Sequence, residues 1–157
     1  MVTAVIGVTG TREQLSAAAI RRLWRTVQTF GFQLDALEIT GELHHGDCSG
    51  ADNVANVMAT ILQWRRVSHP CTGTAAAWRA HCDVDKEMPA KEPLDRNQDI
   101  VNVVDELIAL PQLTEERSPR SGTWATIRMA RRRGIPITII YQDGRVVREA
   151  PKSESSI

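Results

Sequence analysis

The sequence predicts one doubly wound α/β domain, with a mainly parallel five-stranded sheet and a C-terminal edge strand. Short β-branched runs alternate with stretches of helical apolar spacing, and glycine or proline separates many of them. Of the 157 residues, 42% are hydrophobic, enough for a single core without disulfides or metals. We assign residues 1–150 to one domain and predict a disordered tail over residues 151–157.

The first half of the domain is predicted to hold three strands and two helices. β-branched runs mark the strands, and apolar residues at three- and four-residue intervals mark the helices. Gly31 is the predicted stop of the first helix, and Pro70 ends the third strand. These elements are predicted at residues 2–8 (strand), 12–30 (helix), 37–40 (strand), 54–62 (helix) and 67–70 (strand).

The second half begins with an irregular excursion over residues 71–94 and then resumes the alternation. The elements are predicted at residues 95–106 (helix), 107–110 (strand), 123–133 (helix), 136–141 (strand) and 146–148 (edge strand). Right-handed crossovers place the carboxyl ends of all parallel strands on one edge of the sheet. Ligands of such sheets bind outside those ends, near the point where strand order reverses.

Charge and composition restrict the function classes. Nineteen basic residues balance nineteen acidic ones, which argues against binding nucleic acid or membranes through overall charge. The apolar runs are shorter than a membrane span requires, and no signal-peptide pattern opens the chain. Three cysteines cannot all pair within one chain, which fits reduced thiols and a cytoplasmic protein.

Glycines and small hydroxyl residues cluster after the predicted strands. Glycine allows close approach of a ligand to the backbone, and a helix start offers free N–H groups and partial positive charge. Three such helix starts on one edge predict a ligand that carries phosphate.

Four segments together resemble the SLOG superfamily. They are Gly10-Thr11-Arg12, His45-Gly46-Asp47-Cys48-Ser49-Gly50-Ala51-Asp52, Arg96-Asn97 and Ser121-Gly122-Thr123. The superfamily includes the cytokinin-activating LOG phosphoribohydrolases, the DNA-processing protein DprA and the small YspA-like proteins, which the chain resembles most. The resemblance spans residues 2 to about 140. It implies a Rossmann-like fold, a nucleotide or nucleotide-derived ligand and, from the LOG relatives, a homodimer or higher homo-oligomer.

The resemblance and the residue types together give the expected ligand site. Gly122 and Thr123 are expected to hold phosphate, and Trp124 is a candidate for stacking on a purine, with a core or dimer role as the alternative. We expect Arg12→Ala and Arg96→Ala to weaken binding of a phosphorylated ligand and to leave thermal stability nearly unchanged. The expected ligand-binding residues are Gly10, Thr11, Arg12, Gly46, Asp47, Ser49, Gly50, Asp52, Arg96, Asn97, Ser121, Gly122, Thr123 and Trp124.

The sequence departs from the LOG enzymes at their catalytic motif. Those enzymes carry Pro-Gly-Gly-x-Gly-Thr followed closely by glutamates, whereas Trp124-Ala125-Thr126 follows here and Pro111 is far away. Cleavage of an N-glycosidic bond needs a carboxyl group to protonate the base or stabilise the cation. Asp47 and Asp52 are the candidates, and a helix cap is the alternative role for Asp52.

These observations rank three functions. The first is binding of a nucleotide-derived small molecule, as a sensor, carrier or sequestering protein. The alternatives are a LOG-like phosphoribohydrolase acting on nucleoside 5′-monophosphates, and DprA-like binding of single-stranded DNA. No metal is expected, since the sequence lacks Cys-x-x-Cys pairs and His-x-x-x-His spacing, and we expect no cofactor or membrane partner. Cys48 is a weaker candidate for a nucleophile.

Overall fold

The computed structural model describes residues 2–116 and 122–151. Within these ranges the chain forms seven strands, four α-helices and one short 3₁₀ helix. In chain order the elements are β1 Thr3–Gly10, α1 Ala17–Ala36, β2 Thr40–His45, α2 Ala51–Ile61, β3 Arg65–Ser68, the 3₁₀ helix Thr74–Trp78, β4 Lys86–Glu87, α3 Pro93–Val103, β5 Glu106–Leu110, α4 Gly122–Arg133, β6 Ile137–Ile140 and β7 Val146–Glu149.

The strands form one sheet in the order β4-β3-β2-β1-β5-β6-β7. Every neighbouring pair is parallel except β6 and β7, which pair antiparallel at one edge. The predicted doubly wound α/β fold is therefore confirmed, with seven strands in place of five plus an edge strand. The additional strand, β4, comprises two exposed residues, Lys86 and Glu87, and carries no apolar alternation that could have revealed it.

Helices cover both faces of the sheet. One core cluster joins α1 and α2 to strand residues such as Ile108 and Leu110, and the other joins α3 and α4 to Leu107 and Ala109. Consecutive residues of β5 thus point into opposite cores, as the period of a strand requires. Residues 107–110 of β5 are all apolar because both faces of this strand are buried.

The first helix and second strand differ most from the predicted positions. Ser16 caps α1, accepting a hydrogen bond from the Ala19 N–H at 3.0 Å, and the helix passes through the buried Gly31 to Ala36. A predicted stop at Gly31 is wrong because the helix gains more from packing there than it loses in propensity. β2 consequently begins at Thr40, so that His44 and His45 belong to the strand.

The remaining boundaries shift less. α3 begins at Pro93 and ends at Val103, which leaves Glu106 to begin β5. The predicted tail lies outside the described residues from residue 152 onward. None of the helices in residues 2–116 and 122–151 combines the length and apolar character needed to cross a membrane.

Candidate functional site

A cavity of about 840 Å³ opens at the carboxyl ends of β1 and β5. β1 is the first strand of the chain, and the order of the sheet reverses there, since β2 lies on one side of it and β5 on the other. The volume falls within the roughly 300–1,000 Å³ range of small-molecule sites. The walls come from the segments that follow β1 and β2 and from α3 and α4. This is the ligand crevice expected of a doubly wound sheet.

The loop after β1 is fixed by backbone contacts. The N–H of Thr11 donates to the Leu110 carbonyl at 2.9 Å, and its own carbonyl accepts from the Ala51 N–H at 3.1 Å. The loop lies so close to α2 that a Cβ atom at Gly10 would stand 2.5 Å from the Cβ of Ala51. Glycine is required at this position, because any side chain would separate β1 from α2.

The loop after β2 makes a second close approach. Gly50 has a φ of +83°, and a Cβ atom there would lie 2.3 Å from the Thr11 carbonyl oxygen. The Ser49 hydroxyl donates to the Arg12 carbonyl at 3.1 Å. Ser49 and Gly50 do not line the cavity themselves, but they hold the loops after β1 and β2 together.

Asp52 faces the cavity from the first turn of α2. Its Oδ2 accepts hydrogen bonds from the backbone N–H groups of Gly46 and Cys48, each at 3.1 Å. Its Oδ1 is buried and has no hydrogen-bond partner among the described residues. Burial raises the pKa of this carboxyl group above its ordinary value, against the attraction of His45 and Arg96.

Asp47 lies outside the lining of the cavity and is engaged in internal hydrogen bonds. It does not line the cavity, and both of its carboxylate oxygens are engaged at 2.8 Å, one by Nε of Arg79 and one by the Cys82 N–H. Burial alone would raise the pKa of Asp47, but these hydrogen bonds lower it below its ordinary value. Asp47 therefore anchors residues 79–82 to the loop after β2.

Arg96 lines the cavity but uses much of its guanidinium group internally. Its Nη1 donates to the carbonyl oxygens of Gly46 at 2.7 Å and His69 at 2.9 Å, and its Nε donates to Oδ1 of Asn97 at 2.7 Å. The side chain is buried. We therefore revise the expectation that Arg96→Ala leaves stability unchanged, because the substitution removes the partners of two backbone carbonyls.

The predicted helix starts differ in how they lie relative to the cavity. No α1 residue lines the cavity within the described ranges, and Ser16 already accepts one of the first N–H groups of that helix. The first N–H of α2 donates to Thr11. Gly122 and Thr123, by contrast, line the cavity at the start of α4, whose partial positive charge faces it.

The cavity has a local excess of positive charge. Among the described residues, four arginines and two carboxylates line it, an excess of two positive charges in a chain with none overall. The arginines are Arg12, Arg96, Arg128 and Arg132, and the acids are Glu13 and Asp52. Arg128 forms an ion pair with Glu116, whereas Arg12 and Arg132 are exposed. Such a cavity favours an anion over a cation.

The thiol and imidazole groups near the site do not form a reactive cluster. Burial raises the pKa of the Cys48 thiol to about 11, which disfavours the nucleophilic thiolate. His44 Nδ1 and His69 Nε2 lie 2.8 Å apart in a hydrogen bond, and Glu42 engages the other nitrogen of His44. Across residues 2–116 and 122–151, no three His, Cys, Asp or Glu side chains are arranged to hold a metal ion.

Nine of the fourteen expected ligand-binding residues line this cavity. They are Gly10, Thr11, Arg12, Gly46, Asp52, Arg96, Asn97, Gly122 and Thr123. Asp47, Ser49 and Gly50 lie behind it, and Trp124 packs in the core with α3 and α4, in line with the core alternative. Ser121 lies outside the described residues.

Sequence reasoning missed several lining residues, of which Trp78, Arg128 and Arg132 matter most. The two arginines are four residues apart on α4 and so share one face of the helix that starts at the cavity, a signal that was available. Trp78 lies in the irregular stretch, where no periodicity marks its orientation.

Three solved structures share this architecture. A molybdenum cofactor binding protein from the phototrophic bacterium Rippkaea orientalis superposes with a TM-score of 0.65 and 17% identity, over 90% of this chain and 78% of that chain. DNA processing protein A (DprA) from Streptococcus pneumoniae superposes with a TM-score of 0.64 and 17% identity, over 88% of this chain and 50% of that chain. The structural-genomics target TM1055 superposes with a TM-score of 0.59 and 13% identity, over 85% of this chain and 72% of that chain.

At these identities the likeness concerns the fold. No protein-family model and no curated protein matches the sequence. The chain therefore shares the Rossmann-like, mainly parallel α/β fold of these three structures.

Proposed function

We propose that the protein binds a small nucleotide-derived molecule in the cavity at the carboxyl ends of β1 and β5, as a sensor, carrier or sequestering protein. The observation that carries this proposal is the start of α4 at the cavity wall. Gly122 and Thr123 present the amino end of the helix, and Arg132, three turns along, adds a formal charge. A phosphate group at this end meets the partial charge of the helix, and Arg132, about 14 Å further along the helix axis, adds to the positive potential of the cavity.

Asp52 favours a ligand that carries a hydrogen-bond donor in addition to the phosphate. Asp52 lines the cavity, and its Oδ1 is buried and has no hydrogen-bond partner within the described chain. An orphaned buried carboxylate oxygen is costly, and a ligand hydroxyl or amino group would satisfy it. A sugar hydroxyl beside a phosphate meets this requirement. The fold's occurrence in a molybdenum cofactor binding protein is further support for small-molecule capture.

Binding is tested with purified protein and calorimetric titration of nucleoside 5′-monophosphates. Arg12→Ala should weaken binding about 10-fold to 100-fold, the loss of one charge-assisted contact, and Arg132→Ala should weaken it by a smaller factor, because Arg132 lies three turns from the helix start. Arg21→Ala is the matched control, since Arg21 is exposed on α1 outside the cavity. Unaltered affinity in both cavity variants, or no binding by the wild type, would refute the proposal. Mass spectrometry of copurifying molecules identifies a retained ligand.

The second candidate function is hydrolysis of the N-glycosidic bond in a nucleoside monophosphate. Burial raises the pKa of Asp52, which is the direction of shift that a general acid for a departing base requires. The first turn of α4 holds no carboxylate, so Asp52 would act without the glutamates of the LOG enzymes. Chromatography of free base after incubation tests this function. Base release by the wild type that Asp52→Asn abolishes would establish it, provided that Asp52→Asn still binds the nucleotide.

We also propose a cytoplasmic homo-oligomer. The three unpaired thiols suit a reducing compartment. Val57 and Ile61 are exposed on the outer face of α2 and supply apolar surface for self-association. Light scattering of the wild type and of a Val57→Lys, Ile61→Lys variant tests the assembly, which the double variant should reduce to the monomer mass.

A further inference from the structure

Trp78 contributes an exposed aromatic surface to the cavity. The residue ends the 3₁₀ helix Thr74–Trp78, and its side chain is 42% exposed while it lines the cavity. Leu94, at the start of α3, lines the same cavity and is 55% exposed. Exposed apolar residues that share one concave surface mark a region that binds an apolar part of a ligand.

The backbone around Trp78 is held firmly to the loop after β2. The Trp78 carbonyl accepts from the Ser49 N–H at 2.9 Å, and the Ala80 N–H donates to the Asp47 carbonyl at 2.8 Å. Arg79 adds its 2.8 Å contact with the Asp47 carboxylate. The indole ring therefore projects from a fixed segment, although it lies in an irregular part of the chain, and binding requires little ordering of that segment.

Arg12 lies beside the same ring. Its guanidinium carbon is 5.7 Å from the centroid of the Trp78 ring, within the range of a cation–π contact. Arg12 also lines the cavity. A positive charge next to a partly uncovered aromatic ring is suited to a ligand that joins a flat ring to an anionic group, because one pair of side chains meets both parts.

We propose that Trp78 binds the heteroaromatic ring of the ligand by stacking, while the start of α4 holds the phosphate. The ligand class is a planar heteroaromatic ring joined through a sugar or similar linker to a phosphate. This inference rests on the proposed nucleotide-binding function and adds the residue that recognises the ring. Trp124, the tryptophan favoured by the sequence, packs in the core instead.

The test compares GMP, which has a ring, with ribose 5-phosphate, which has none, by calorimetric titration of the full chain. Trp78→Leu should weaken GMP binding about 10-fold to 100-fold, the usual loss for a stacked base, and should leave ribose 5-phosphate binding unchanged. Trp78→Phe should retain most of the GMP affinity, because it keeps an aromatic face. Phe32→Leu is the matched control, an exposed aromatic residue on α1 outside the cavity.

The outcomes separate this inference from the proposed function. Wild-type protein that binds GMP, with a Trp78→Leu variant of equal affinity, overturns the stacking role and leaves nucleotide binding intact. Equal losses for GMP and ribose 5-phosphate in Trp78→Leu also overturn it, since a ring contact cannot affect a ligand without a ring. Wild-type protein that binds neither compound overturns both. Unfolding curves of the variants confirm that each is folded at the titration temperature.

Discussion

Arg96→Ala should destabilise the protein strongly, although Arg96 lines a cavity. The side chain is buried, and Nη1 satisfies two backbone carbonyls, those of Gly46 and His69, at 2.7 and 2.9 Å. A net contribution of about 1.5 to 3 kcal/mol for each hydrogen bond to a charged group gives a total of about 3 to 6 kcal/mol. In a domain of this size that loss lowers the melting temperature by roughly 10 to 20 °C.

Urea unfolding followed by circular dichroism measures this loss directly. Arg132→Ala is the matched control, because Arg132 lines the same cavity but is exposed, and its removal should change the free energy of unfolding by less than about 0.5 kcal/mol. An Arg96→Ala variant within about 1 kcal/mol of the wild type would show that the two carbonyls find other partners, and it would refute the structural role.

Three further predictions concern stability and reactivity. Gly50→Ala should cost well over 1 kcal/mol in urea unfolding, while Gly73→Ala, at a similar φ of +80° but with no described atom within 4 Å of its Cβ position, should cost only about 1 kcal/mol. Burial lowers the pKa of His69 to about 4, so the unfolded chain binds the proton first, and stability should fall by about 2 kcal/mol from about pH 7 to about pH 5. His69→Gln should remove most of that fall; an unchanged slope would contradict it. Cys48 should resist iodoacetamide near neutral pH in the folded protein and react after unfolding, as followed by mass spectrometry.

The sequence predicts an element best when its buried residues are apolar and form a pattern within the element itself. β6 is β-branched throughout and β5 is apolar after Glu106, and the positions of both strands are predicted to within two residues. The position of β2 is predicted less well because its buried residues include His44 and His45. These side chains are compatible with the interior only through hydrogen bonds to His69 and Asn56. Those partners lie on other elements, so no local pattern reveals them.

The candidate site is predictable in its backbone and less so in its side chains. Glycine turns after the strands predict the position of the cavity, because the loops there approach each other so closely that only glycine fits. Whether a charged side chain forms hydrogen bonds within the fold depends on residues that are far away in the sequence. Arg96 reaches Gly46, fifty positions away, and Asp47 reaches Arg79, so both look available in the sequence and are engaged in the fold.

The walls of the cavity belong to both helical layers, since Asp52 comes from α2 on one face and Asn97 and Thr123 come from α3 and α4 on the other. A ligand that touches both layers adds its binding free energy to the cost of opening either one. Amide hydrogen exchange should therefore slow on both faces of the sheet together when the ligand is bound. The occupied protein would open as one cooperative unit, even where the empty one opens layer by layer.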